Sequence, residues 1–340
     1  MRQDEDYPID IVIPWVDGSD PEWIKEKDKK VEELNVLSVA GFSDTRFRDW
    51  DIIRYFFRSI DLYAPWVNTV HFVTWGHLPK WMNPDAPKLH IVNHKDFIPE
   101  VYLPTFSSHT IELNMHRIPG LAEHFIYFND DMLLLRPTKR IDFFKRGQPR
   151  DYAVLNVLSS PFRGSVADIA LTDIEVINDH FRKNEVIRKH FMKWFHPVYG
   201  ENLLRTLWLL PAPRFLNLYW THTCTAFLKS VFYKVWFYEY DLLDSTCRHP
   251  FRTCRDASQW LIREWQLCEG SFIPSSPKKG EIMSIRNNND RIRRLLEERR
   301  KTVVCLNENC GTKFRDVDKT MGELATMLAR EFPSKSSFEV

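Results

Sequence analysis

The sequence predicts an α/β fold: a mixed sheet covered by helices on both faces over its first 135 or so residues, then a helix-rich C-terminal half. Three observations predict it. Apolar runs rich in β-branched and aromatic residues alternate with segments of helical apolar spacing between residues 9 and 135. The run Phe125-Ile126-Tyr127-Phe128 is apolar throughout, as a buried strand is, and stops at Asn129-Asp130-Asp131. Past Pro137 the strand signals give way to long helical patterns punctuated by Pro211, Pro213, Pro250 and Pro274.

Taken in order, Ile9-Asp10-Ile11-Val12-Ile13-Pro14-Trp15-Val16 reads as a strand that ends in Asp17-Gly18-Ser19-Asp20-Pro21. There Asp20 is placed to cap a helix that Pro21 begins. Residues 51–63 set Ile52, Ile53, Phe56, Phe57 and Ile60 at helical spacing and turn Arg54 and Arg58 outward. Residues 70–75 and 89–93 read as strands, 108–117 as a helix, and 125–128 as the strand that meets the acids. In the second half, 168–194, 223–240 and 258–267 read as helices. Residues 207–220, the most hydrophobic stretch, are broken by Pro211, Pro213 and Arg214 and read as a packed loop or a surface patch. Residues 290–301 form a charged amphipathic helix with a solvated basic face, anionic lipid being the second option. Beyond Thr320 a short helix leads to a polar tail, expected to fray.

Composition narrows the function. Lys and Arg total 47 against 46 Asp and Glu, a net charge of +1, which provides no field to hold a nucleic-acid polymer. Any phosphate site is therefore local. No apolar run approaches the roughly 18 residues a membrane span needs, and the N-terminus reads as acidic rather than as an export signal. The expectation is a cytoplasmic protein, with peripheral contact at the inner face of the cytoplasmic membrane as an option. Cys224, Cys247, Cys254, Cys268, Cys305 and Cys310 then read as free thiols, and their spacing does not fit a zinc site.

The chemistry gathers at strand ends. Two adjacent carboxylates at the rim of a buried strand repel and resist desolvation, so Asp130 and Asp131 call for a counter-charge, most simply a divalent cation with oxygen ligands. The turn at Asp17 lies at another strand end, where α/β sheets bind ligands, and the two turns are expected to face one cleft. The structural alternative is that Asp130 caps a turn and Asp131 faces water.

Four blocks resemble the Stealth family of sugar-1-phosphate transferases, which includes bacterial capsular polysaccharide phosphotransferases and the lysosomal-enzyme N-acetylglucosamine-1-phosphotransferase. The first is residues 9–20. The second runs from Arg46-Phe47-Arg48-Asp49 through Ala64-Pro65-Trp66-Val67, Val73-Thr74-Trp75-Gly76, Leu103-Pro104-Thr105-Phe106-Ser107-Ser108 and His116-Arg117-Ile118-Pro119-Gly120-Leu121 to Phe128-Asn129-Asp130-Asp131. The third is Thr221-His222-Thr223 with Phe251-Arg252 and Asp256, and the fourth is Val304-Cys305-Leu306-Asn307-Glu308-Asn309. Cys224 stands where the family often has Pro, and Glu308 where Asp is usual. The likeness implies a GT-A-like (Rossmann-like) fold and a nucleotide-sugar donor. It divides the chain into an α/β nucleotide-sugar-binding core (1–160), a helical insertion (161–220), a helix-rich part completing the active site (221–320) and a short helix with its tail (321–340).

The implied reaction moves a sugar-1-phosphate from a nucleoside-diphosphate sugar, such as a UDP-N-acetylhexosamine, to a glycan hydroxyl. It releases nucleoside monophosphate in capsular or exopolysaccharide synthesis. The acceptor is a glycan or a lipid-linked saccharide, and association with a capsule-assembly system or membrane surface is a further implied partnership. Such chemistry needs charge neutralisation, in-line positioning and a base. Asp130 and Asp131 are assigned Mg²⁺ or Mn²⁺, Arg252 and Arg117 the phosphoryl oxygens, and His222 the hydroxyl proton, since an imidazole titrates near neutrality. Asp17 is the rival base or a third ligand. Trp15 and the loop from Leu103 to Ser108 are expected at the nucleotide base and sugar, with Ser107, Ser108 and His109 hydrogen-bonding hydroxyls or phosphate, and Asn307 at the donor or metal. The alternative reading is a metal-dependent GT-A glycosyltransferase that breaks the anomeric C–O bond and releases nucleoside diphosphate. A degenerate lectin-like module is disfavoured because the acids and the histidine are all present.

Overall fold

The computed structural model describes residues 6–34, 49–162, 165–308 and 312–340. Residues 1–5 of the acidic N-terminus, Arg46-Phe47-Arg48 of the second block, Asn309 and Cys310 lie outside the described residues.

β1 (Ile9–Pro14) leads through a tight turn into α1 (Pro21–Glu33), whose first N–H groups, those of Glu22 and Trp23, are capped by the Asp20 carboxylate. α2 (Ile52–Tyr63) follows, then β2 (Val70–Thr74), β3 (Leu89–Asn93), a short α3 (His94–Phe97), α4 (Ser108–Asn114), β4 (His124–Tyr127) and β5 (Met132–Leu134). Next come β6 (Phe144–Lys145), β7 (Gln148–Asp151), α5 (Val166–His180), α6 (Lys183–Lys189), α7 (Phe191–Trp194) and α8 (Asn202–Leu209). β8 (Thr225–Leu228), α9 (Lys229–Tyr238), α10 (Tyr240–Arg248), α11 (Gln259–Glu269), β9 (Ile273–Pro274) and β10 (Gly280–Ser284) follow. α12 (Asp290–Glu298), β11 (Val303–Asn307) and α13 (Val317–Glu331) complete the described elements.

The main sheet has the order β3-β2-β1-β4-β8, parallel except for β8. Ile11 sits between Val70 and Ile126, so β1 is central. The pleat sends Ile9, Ile11 and Ile13 into a core shared with α2, α12 and α13, and Val12 into another shared with α4, α5, α9 and α11. Both faces are covered, which is why β2 is buried at every position. A second sheet, β10-β11-β5, runs off the end of β4 and sets Cys305 opposite Met132. The α/β mixed sheet flanked by helices is thus as the sequence predicts.

Three local readings are corrected. Residues 223–240 were expected to be one helix, but β8 comes first, because Thr225-Ala226-Phe227-Leu228 pairs with the open edge of β4. A short apolar run has no periodicity with which to choose between strand and helix. Residues 168–194 are three helices, broken near Phe181 and at His190. The tail is not frayed: Phe338 is buried against Phe57, and Glu339 accepts from Arg58 Nε and Nη2 (2.7 and 2.8 Å). Arg58, read as an outward charge, also donates to the Phe332 carbonyl (2.7 Å). Breaking a buried pair strands its partner, so Arg58→Ala is expected to cost about 3 kcal/mol in urea unfolding.

Residues 207–220 divide. Leu207 and Trp208 face solvent from α8, whereas Phe215 and Leu218 enter the core. Between α5 and α11, fully buried Asp173 accepts from the Ser258 N–H (3.0 Å) and hydroxyl (2.6 Å). Burial nevertheless pushes its carboxyl up to about 7. A raised carboxyl contributes stability that is fully present below the unfolded value of about 3.9 and lost as pH rises toward 7. Asp173→Asn is therefore expected to flatten the fall in Tm between about pH 4 and pH 7, as read by thermal melts at each pH.

Candidate active site

The site lies beyond the carboxyl ends of β1 and β4, where open α/β sheets bind ligands. Phe128 N–H bonds to the Val12 carbonyl (3.0 Å) and Met132 N–H to Asn129 (3.2 Å), so the chain turns back into β5 at Asn129-Asp130-Asp131. Two cavities meet there, and Tyr127 and Asn129 line both. With their open mouths they span about 890 and 940 Å³.

The cavity over β1 brings together Trp15, Ser108, Asp130 and Arg252 of the sequence-predicted set. Trp15 is also core: it stacks on Phe72 and donates its indole N–H to Asp49 (3.2 Å). Arg252 donates to the Ser108 hydroxyl and, among the described residues, has no carboxylate within ion-pair distance. Asp256, the partner an ordinary salt bridge would use, instead pairs with His249 (2.8 Å) and His109 (3.7 Å) and accepts from the Thr253 N–H (2.7 Å). The Arg252 guanidinium is thus left for an anion. Sequence reasoning placed the loop that carries Phe106 here but missed Trp23 and Phe251, which complete the aromatic wall of this cavity; Phe106 and Phe251 stack at 5.2 Å. It also missed Asp49, although that residue stands in the second block.

The acids are held from β11. Leu306 N–H donates to the Asp131 carbonyl (2.7 Å), and Asn307 Nδ2 (3.1 Å) and Cys305 Sγ (3.2 Å) reach the Asp131 carboxylate. Its other oxygen, Oδ1, is buried with no hydrogen-bond partner. Asp130 opens onto the cleft, yet desolvation by the protein packed around it, then the charges of Asp131 and Asp49, raise its carboxyl well above the ordinary value. His222, held at φ 44° in the left-handed region, lies across the cleft with Nε2 3.5 Å from Asn129 Nδ2. Asp131, His222 and Cys305 offer ligand atoms that all fall within 4.8 Å of one another.

A crowded carboxylate pair with one unpartnered buried oxygen fits a cation. With no cation bound, the Cys305 thiol is raised well above its ordinary value by burial and the Asp131 charge and donates to Asp131. The remaining donors, carboxylate and amide oxygens with one imidazole, suit a hard divalent ion such as Mg²⁺ or Mn²⁺ rather than a thiolate-seeking one.

Other expected residues sit elsewhere. Asp17 Oδ1 accepts from the Ser19 N–H (2.9 Å) and hydroxyl (2.6 Å), closing the β1–α1 turn, and Asp17 lines neither cavity. Ser107 is buried beneath Ser108, and buried His109 braces Asp256 instead of lining the cavity. Arg117 is not brought to the cleft at all; its guanidinium lies over the Trp236 ring (5.0 Å).

Comparison with known proteins follows this geometry. Residues 7–30 match Stealth protein conserved region 1, and residues 46–151, which carry Asp49, Ser108, Asp130 and Asp131, match conserved region 2. The capsular polysaccharide phosphotransferase WcwK of Streptococcus pneumoniae is 36% identical over 331 residues, 97% of this chain and 98% of that protein. The chain belongs to the Stealth family. Other Stealth relatives include the receptor polysaccharide phosphotransferase WefC of Streptococcus gordonii, 34% identical over 98% of this chain and 99% of its own. The exopolysaccharide phosphotransferase cps2G of Lactiplantibacillus plantarum is 35% identical over 98% and 96%. Among solved structures, the galactosyltransferase LgtC with donor and acceptor sugar analogues aligns over 94% of this Stealth chain and 95% of its own, at 10% identity and a TM-score of 0.41. Among the described residues, no helix is long and apolar enough to cross a membrane.

Proposed function

We propose that the chain transfers a sugar-1-phosphate from a nucleoside-diphosphate sugar to a glycan hydroxyl, forming a phosphodiester in surface polysaccharide synthesis. The observation that carries this reading is the place of His222. Its ring lines one cavity, its Nε2 faces Asn129 on the wall shared with the other, and it stands beside Asp131. The near-full-length likeness to polysaccharide phosphotransferases supports it.

In this reading the donor occupies the cavity over β1. Trp23, Phe106 and Phe251 give its base an aromatic wall, and Arg252 holds a phosphoryl oxygen by charge-assisted bonds that strengthen as charge develops. The acceptor enters the second cavity, and His222 takes the proton of its hydroxyl as that oxygen attacks phosphorus. Asn129 sits where the two substrates meet and orients the imidazole. Asp130 and Asp131, with the Asn307 amide behind them, hold a divalent cation, which when bound neutralises diphosphate charge and templates the in-line geometry. The donor's phosphoanhydride bond breaks and its nucleoside monophosphate leaves.

The test is the nucleotide product. Incubation with a panel of nucleotide sugars and an acceptor glycan, with and without Mg²⁺ or Mn²⁺, is expected to yield nucleoside monophosphate only with metal present. Release of nucleoside diphosphate would instead make the chain a glycosyltransferase.

A further inference from the structure

The second cavity has a charge that the donor does not need. Arg150 and Lys279 both line it. Arg150 spends its donors on the carbonyls of Ile141 (3.2 Å) and Pro274 (3.5 Å), and its Nε is buried without a partner. Among the described residues no carboxylate lies within ion-pair distance of it. Asp151, its neighbour in the chain, is already engaged by Arg263 through two bonds of 2.8 and 2.7 Å. Lys279 donates to the Asp142 backbone carbonyl (3.0 Å), and among the described residues its one carboxylate is that of Asp142, 3.9 Å from the amine, whose other oxygen accepts from the Lys139 N–H. Burial and the charge of Arg150 lower the Lys279 amine below its ordinary value, the signature of two cations crowded on one wall.

The rest of the lining is suited to a sugar. Trp220 and Trp260 stack at 4.5 Å with 17° between their planes, and both border His222. Half-buried indoles of this kind offer a flat apolar face to the C–H side of a saccharide ring. Along the same wall Tyr152, Thr221 and Thr223 form a row of hydroxyls (2.8 and 3.0 Å apart). Gly280, next to Lys279, lets β10 approach this row: a Cβ there would meet Thr223 Cγ2 at 2.4 Å. Lys279 is thereby drawn to the wall that carries His222.

We infer that the acceptor is an anionic saccharide: its ring rests on the Trp220–Trp260 pair, its hydroxyl meets His222, and a phosphate group it already carries sits on Arg150 and Lys279. This rests on the proposed transferase reading, in which the donor's own phosphates lie in the other cavity on Asp130 and Arg252. The acceptor's anion has two chemical sources. One is a diphosphate that joins the saccharide to a lipid, and the other is a phosphodiester already built into the growing chain.

Binding without turnover tests the inference. Calorimetry on the full chain compares a neutral methyl glycoside, its 6-phosphate, a glycosyl phosphodiester and an alkyl-diphosphate saccharide. The phosphorylated probes are expected to bind at least about tenfold more tightly than the neutral one. Arg150→Gln and Lys279→Gln are expected to erase that preference while leaving nucleotide-sugar binding unchanged. In wild type the preference should shrink as ionic strength rises, a readout that does not depend on either variant folding. Whichever of the two linked probes binds better identifies the source. Equal affinity for neutral and phosphorylated probes, or a preference that survives in both folded variants, overturns the inference. Nucleoside monophosphate released from donor into water reports on the transferase reading separately, so the two can fail independently.

Discussion

His222→Ala is expected to lower phosphodiester formation by about 10²- to 10⁴-fold, the usual span for a positioned general base, with nucleotide-sugar affinity and Tm close to wild type. The ring projects into the cleft from a segment between core elements, and its recorded hydrogen-bond contact is the long one to Asn129. Its removal therefore takes away little that holds the fold. Histidine tolerates the positive φ somewhat better than alanine, so the substitution adds at most a small backbone cost. A structural role and a proton-transfer role separate by rescue: added imidazole should restore part of the rate in the alanine variant, and increasingly so as pH rises toward neutrality. Full turnover by the purified variant would remove His222 from the mechanism.

Asp130→Asn should move stability and activity in opposite directions. The Asp130 carboxyl is raised by desolvation and by the charges of Asp131 and Asp49, so its ionised form is disfavoured in the fold relative to the unfolded chain. The stability linked to such a group is present below the ordinary carboxylate value, near 3.9, and is lost as pH rises through its raised value. Removing the charge is therefore expected to raise the metal-free Tm at neutral pH and to leave it unchanged in acid. Activity should fall by about 10²- to 10³-fold, as for loss of a charge-stabilising group. Wild type should gain Tm on addition of Mn²⁺ by mass action, and the variant should gain little. A variant that keeps both its activity and its metal-dependent Tm would detach Asp130 from the cation.

Much of this fold is legible in the sequence where local signals agree with each other. β1 announces itself by its unbroken β-rich run, α1 by the Asp20 cap with Pro21 at its start, and α2 by apolar residues three and four apart, and all stand where those signals put them. β5, β6, β7 and β9 are two to four residues long, too short to leave a period. β8 was hidden because only the free edge of β4 makes it a strand. The site divides in the same way. Asp130 and Asp131 can be nominated from type and place at the end of an apolar run, whereas Arg252, His222 and Asn307 come into view only through the family resemblance. Trp23, Phe251 and Trp260 do not, because an aromatic that lines a cavity has the same sequence signature as one inside a core. Arg117 misled for the converse reason: its block resembles the family, but the short 3-10 turn at Met115–Arg117 sends its side chain to Trp236.

The seating of Asp131 by β11 has a consequence for when the protein can act. Asp131 is fixed by Cys305 and Asn307 at its carboxylate and by Leu306 at its carbonyl, more than 170 positions downstream by the separation from Cys305. A nascent chain, or a fragment clipped ahead of Val303, would carry most of the substrate-facing residues and still lack the strand that sets the acid in place. Competence should therefore switch on late in synthesis, once residue 307 is free of the ribosome, and a single nick between Glu298 and Val303 followed by release of the downstream piece should extinguish it.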